Sequence, residues 1–176
     1  MVCSVYEGRA FSCRHLFSVL IVLFFFSAHC RSDCVTRCGL DPIEVDLNRF
    51  KKQKAEIAQD TRDLMARVEE FEDKVFVNQR AALDLLRVDL VSRSSEYVRK
   101  LAGMEIKTDV VKDIFEKELK GYEKLALAYR ILENAFENND AAMIRKGLAL
   151  REKGLHLVKG AETELNELER KYPGRR

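Results

Sequence analysis

The sequence predicts an all-α protein: an antiparallel bundle of three to four long, coiled-coil-like helices behind an amino-terminal hydrophobic export or anchor segment. Three observations carry this. Apolar residues recur every three or four positions with no period-two alternation, so helices are expected and strands are not. Between Ile43 and Tyr172 there is no proline, and five isolated glycines are the only strong breakers. All five cysteines of the 176-residue chain (Cys3, Cys13, Cys30, Cys34 and Cys38) lie ahead of Gly39.

Charge divides the chain at the same place. Arg9, Arg14, Arg31 and Arg37 against Glu7 and Asp33 leave the first forty residues with a surplus of two, which is the +2 of the whole chain. The remainder is formally neutral, with acidic and basic residues mixed along every helix, the pattern of solvated helical surface. Such a body lacks the basic clustering of a nucleic-acid binder and the cationic face of a lipid-surface helix, so no nucleic-acid partner is expected.

Residues 1–30 read as a signal peptide or membrane anchor. Leu16–Ala28, LFSVLIVLFFFSA, is a short apolar run preceded by Arg9, Arg14 and His15. As a helix it spans about 20 Å, short of the ~30 Å hydrocarbon core, which favours an export signal over a spanning anchor. Cys30 follows where a lipoprotein signal carries its lipidated cysteine, but Ser27-Ala28-His29 departs from the usual residues before that cysteine. Cleavage at a small residue is the alternative. Residues 31–42 form a cysteine-bearing tether. Cys34 and Cys38 suit a disulfide in an exported protein, while no downstream cysteine completes a zinc set. Membrane contact is therefore expected only through the amino-terminal segment.

The helical body covers residues 43–172. Asp41-Pro42 opens the first helix, and a heptad seam follows through Leu47, Phe50, Lys54, Ile57, Thr61, Leu64, Val68, Phe71 and Val75. Lys54 and Thr61 interrupt it as polar, register-setting residues. The seam serves either as a self-association surface or as the inner face of the monomer. A second run, Leu83, Leu86, Leu90, Tyr97 and Leu101, is out of phase with the first. Without Gly or Pro between Phe76 and Arg80, one continuous or kinked helix through residues 44–101 is favoured over a break. Gly103 then stops the helix, and Thr108 caps the next, with Asp109 in its first turn.

Phe115, Tyr122, Tyr129 and Phe136 recur every seven residues, an aromatic row on one face. Asn138-Asn139-Asp140 makes the turn. On the following helix Gly147, Gly154 and Ala161 repeat at the same period. In an antiparallel hairpin Tyr129 would meet Gly147, Tyr122 would meet Gly154 and Phe115 would meet Ala161, with rings filling the notches of the missing side chains. Interior glycine costs about 0.8–1.0 kcal/mol relative to alanine, so two in one helix imply a packing reason. Residues 173–176 form a tail.

Chemistry is sparse. The body holds one histidine, His156, and its serines are Ser92, Ser94 and Ser95 beside arginines. No nucleophile–histidine pair, phosphate loop or repeated Glu-x-x-His metal motif is present, so no catalytic residue, cofactor or metal is expected. The functional expectation is an exported cell-envelope structural or adaptor protein, acting through helical protein contacts or self-association. The alternatives are a membrane-tethered bundle holding an apolar or aromatic ligand beside Tyr122 and Tyr129, and a secreted effector or adhesin.

Overall fold

The computed structural model describes residues 41–173, and every regular element among them is helical. Cys30, Cys34, Cys38, the export segment and the tether lie outside the described residues. In chain order the elements are α1 (Pro42–Glu56), α2 (Ala58–Val75), α3 (Gln79–Leu85), a π turn (Leu86–Leu90), α4 (Val91–Ala102), α5 (Asp109–Glu137) and α6 (Ala141–Lys171). Among the described residues no helix is long and apolar enough to cross a membrane.

The favoured single helix over residues 44–101 is not what forms. The chain leaves α2 at Phe76, and Asn78 restarts it: the Asn78 side chain accepts a hydrogen bond from the Ala81 amide at 3.1 Å. An asparagine cap thus does what no Gly or Pro was there to do. A smaller interruption falls at Ile57, between α1 and α2. There the Thr61 hydroxyl lies 3.1 Å from the Ile57 carbonyl, and such back-bonding bends helices.

These breaks turn α1–α4 into a hairpin. Asp60 meets Lys100, Thr61 meets Tyr97, and Arg67 meets Asp89, so α4 and the π turn run back along α2. Asp46 anchors the open end. It is almost fully buried and accepts from the amides of Lys107 and Thr108 at 3.0 and 2.8 Å and from the Thr108 hydroxyl at 2.8 Å. Thr108 is the N-cap of α5 by position, but its hydroxyl serves this tie rather than its own helix. Burial alone would raise the Asp46 pKa; the three hydrogen bonds and nearby Arg49 outweigh it and hold the carboxyl below its ordinary range.

The second hairpin is α5 and α6. Asn139 turns through a left-handed conformation (φ 53°), which asparagine tolerates better than most residues. Asp140 accepts from the amides of Ala142 and Met143, both at 3.0 Å, to start α6. The first hairpin packs on α5 through Phe50 against Phe115, Phe71 against Tyr129, and Tyr97 against Tyr122. The result is a bundle-like all-α fold with one continuous core.

The heptad seam lies inside that core. Leu47, Phe50, Leu64, Val68, Phe71 and Val75 are all buried in the monomer. In this fold the seam is the inner face of the monomer.

Candidate functional site

The aromatic row and the glycine series are both buried, but the atoms nearest the Gly147 and Gly154 notches are not those of the expected rings. Phe115, Tyr122 and Tyr129 turn their rings to Phe50, Tyr97 and Phe71 of the first hairpin. A methyl placed on Gly154 would lie 2.9 Å from the Gly121 carbonyl oxygen and 3.0 Å from Leu125 Cγ. On Gly147 it would lie 2.7 Å from Leu132 Cγ. Leu125 and Leu132 stand three residues beyond Tyr122 and Tyr129, about 60° around the helix. That neighbouring stripe, not the aromatic one, faces α6. Gly121, which the heptad reading passed over, is the true counterpart of Gly154: its own Cβ would sit 3.0 Å from the Gly154 carbonyl oxygen. The two backbones approach too closely there for any side chain.

Inside the bundle the polar interruptions of the seam find partners. Lys54 donates to both carboxylate oxygens of Glu118, at 2.8 and 3.0 Å, and Glu118 is 5% exposed. Thr61 is hydrogen-bonded to the Tyr97 hydroxyl at 3.0 Å, and the Tyr97 ring packs on that of Tyr122 with centres 4.5 Å apart. Burial raises the pKa of both tyrosines, more for Tyr122, where the neighbouring Tyr97 adds to it, while the Thr61 hydrogen bond offsets part of the rise at Tyr97. Both phenols therefore stay neutral over the physiological range. Tyr129 differs: its fully buried hydroxyl has no hydrogen-bond partner, and burial alone raises its pKa.

This polar layer is not sealed. At the Ile57 bend, α1 and α2 part from α6 and leave a groove of about 360 Å³. Ala55, Ala58 and Leu165 line it, Lys54 and Thr61 form its inner side, and Lys51, Arg62 and Glu169 stand at the rim. Its volume falls at the low end of the ~300–1,000 Å³ of ligand pockets, and apolar walls with a few convergent polar groups are the usual composition of such sites. The aromatic row lies behind this groove, reached from Thr61 through Tyr97, rather than lining it.

A second surface feature is the tip of the first hairpin. Phe76 and Val77 are 81% and 87% exposed; Val88, set back from the tip on the π turn, is also exposed. Nearby the Arg87 side chain donates to Glu137 at 2.8 Å, tying the start of this return strand of helix to the end of α5. The Val-Phe-Val composition favours continued helix; in the folded chain Val75 stays in the core while Phe76 and Val77 point to water.

His156 is exposed on α6, as is Glu152. Among the described residues no group of three or more His, Cys, Asp or Glu side chains is placed to hold a metal ion. Comparison with protein families, with curated proteins and with solved structures gives no match. What these residues define is thus a helical bundle with an apolar tip and an apolar groove.

Proposed function

We propose that the chain is an exported cell-envelope adaptor, an antiparallel helical bundle that works through protein contacts rather than catalysis. The supporting observation is the hairpin tip. Large apolar residues are placed where a turn normally carries polar ones, at the far end of α1 and α2 from residue 42. That arm of 34 residues holds the tip up to about 50 Å from Pro42, a suitable reach for an adaptor. Export itself rests on the Leu16–Ala28 run and its basic flank.

Two measurements test this reading. Mass spectrometry of the mature amino terminus after membrane fractionation should find either a lipidated Cys30 or a free cleaved end; an intact Met1 in the soluble fraction would overturn export. A photoreactive residue at Val77 in the full chain should crosslink a discrete protein, and one at exposed Glu116 should not. Phe76→Ser with Val77→Ser should abolish the product. A secreted effector or adhesin would differ only in showing a host protein in that crosslink.

A second reading, a tethered bundle that binds an apolar ligand, is favoured by the groove at the Ile57 bend. It requires no contact at the tip.

A further inference from the structure

We propose that the groove between the bent α1–α2 arm and α6 binds a free fatty acid, with its carboxylate at Arg62 and its chain laid over Ala58 and Ala55 toward Leu165. This deepens the ligand-binding reading and is independent of the adaptor reading of the tip.

Three observations converge. The first is shape. Lys51, Ala55, Ala58 and Arg62 follow one another at intervals of three or four on both sides of the Ile57 bend, so the groove runs lengthwise along the arm as a lane rather than a round hole. Alanines at its middle leave depth where longer side chains would fill it. A lane suits a flexible single chain better than a ring system or a whole helix.

The second is polarity. Between its ends the lane is apolar, and the Lys51 and Lys54 stems extend it, as long cationic side chains do when their charged ends reach away. The third is charge. Three cations border the groove against one carboxylate, Glu169. Lys51 is engaged with Glu169 at 3.2 Å and Lys54 with Glu118 at 2.8 Å. Arg62 instead donates to the neutral amide oxygen of Gln59, at 2.6 and 3.2 Å. A carboxylate arriving at Arg62 exchanges a neutral acceptor for an ionic one in a planar two-point pair. The lane thus has an anion-receptive end at Arg62 and a charge-balanced end at Lys51, which sets the direction of the bound chain.

The test uses the full chain reconstituted in phosphatidylcholine vesicles, with a photoactivatable fatty acid and its methyl ester as probes. The acid should label peptides containing Ala55–Arg62 and Leu165. Arg62→Gln should cut labelling by the acid about tenfold, the loss expected for one charge-assisted pair, and leave labelling by the ester unchanged. Ala55→Phe, at an exposed position that folding tolerates, should block the lane and abolish labelling by the acid, with Arg62→Gln as the independent check. Phe76→Ser with Val77→Ser should leave labelling intact, which separates failure here from failure of the adaptor reading. Equal labelling by acid and ester, label on other faces, or labelling that survives Ala55→Phe would each overturn the proposal. So would a dimer that Ala55→Phe dissolves, since a second copy would then be the occupant.

Discussion

In the α5–α6 hairpin, helices of 29 and 31 residues run without a break and touch backbone to backbone where Gly121 meets Gly154. The hairpin before it is assembled from shorter pieces, with a bend at Ile57, a capped break at Asn78 and a π turn at Leu86–Leu90. Polar ties compensate: Asp46 to Thr108, Thr61 to Tyr97, and Arg67 to Asp89. The glycine-packed pair gains stability from close approach, which leaves little room and little chemistry. The segmented pair gives up continuity and gains a groove, a half-buried ion pair and an apolar tip. Every feature with functional promise sits on or beside the segmented hairpin, for that reason.

The largest expected effect falls on the Lys54–Glu118 pair. Lys54→Met leaves the Glu118 carboxylate buried without its partner and should destabilise the fold by about 3 kcal/mol, the low end for such losses because Lys54 is partly solvated. Adding Glu118→Met should restore most of it, as read by urea unfolding. If the single substitution costs nothing, the polar layer is not what holds the segmented hairpin to α5.

Next come the glycines. Gly154→Ala drives a methyl against the Gly121 carbonyl, where neither backbone can yield cheaply, and should cost about 1–3 kcal/mol. Gly160→Ala, on the same helix, meets only the flexible end of Lys117 and should stabilise by about 0.5–1 kcal/mol. Thermal melts of the two variants should therefore move in opposite directions. Equal shifts would mean that helix propensity rather than close approach decides both.

Asp46→Asn should cost about 1–2 kcal/mol at neutral pH, the range of a charge-assisted buried hydrogen bond. Because the folded state lowers the Asp46 pKa below the reference of 3.8, its contribution is complete above that value and disappears as the pH falls through the folded pKa. The wild type should lose stability below about pH 4 faster than the variant does. Parallel curves would remove Asp46 as the acid-sensitive tie of the first hairpin.

The smallest effect is expected at Tyr129, whose buried hydroxyl has no partner. Tyr129→Phe removes that penalty and should raise stability by up to about 1 kcal/mol, measured in the same unfolding series. A loss instead would reveal a bonded hydroxyl and a polar layer extending along α5.

Helical class, the split of cysteine and charge at Gly39, the Asp140 turn and the buried aromatic row were all legible in the residues, because each depends on local periodicity or local capping. Lys54 and Thr61 were legible as polar intrusions in the seam. Their partners were not, since Glu118 and Tyr97 are 64 and 36 residues away and no local rule pairs them. The break at Asn78 was missed because a side-chain cap can end a helix without glycine or proline, and Val-Phe-Val disguised it. Gly154 was legible as a notch but not its filler, because a rotation of some 60° separates the aromatic stripe from the leucine stripe. Periodicity states which residues share a face; only packing states what that face meets. The sequence by itself therefore determined that this protein is built of amphipathic helices with a neutral, cysteine-free body. Tertiary structure alone decided that the seam turns inward, that the rods bend and break, and that a groove opens where they do.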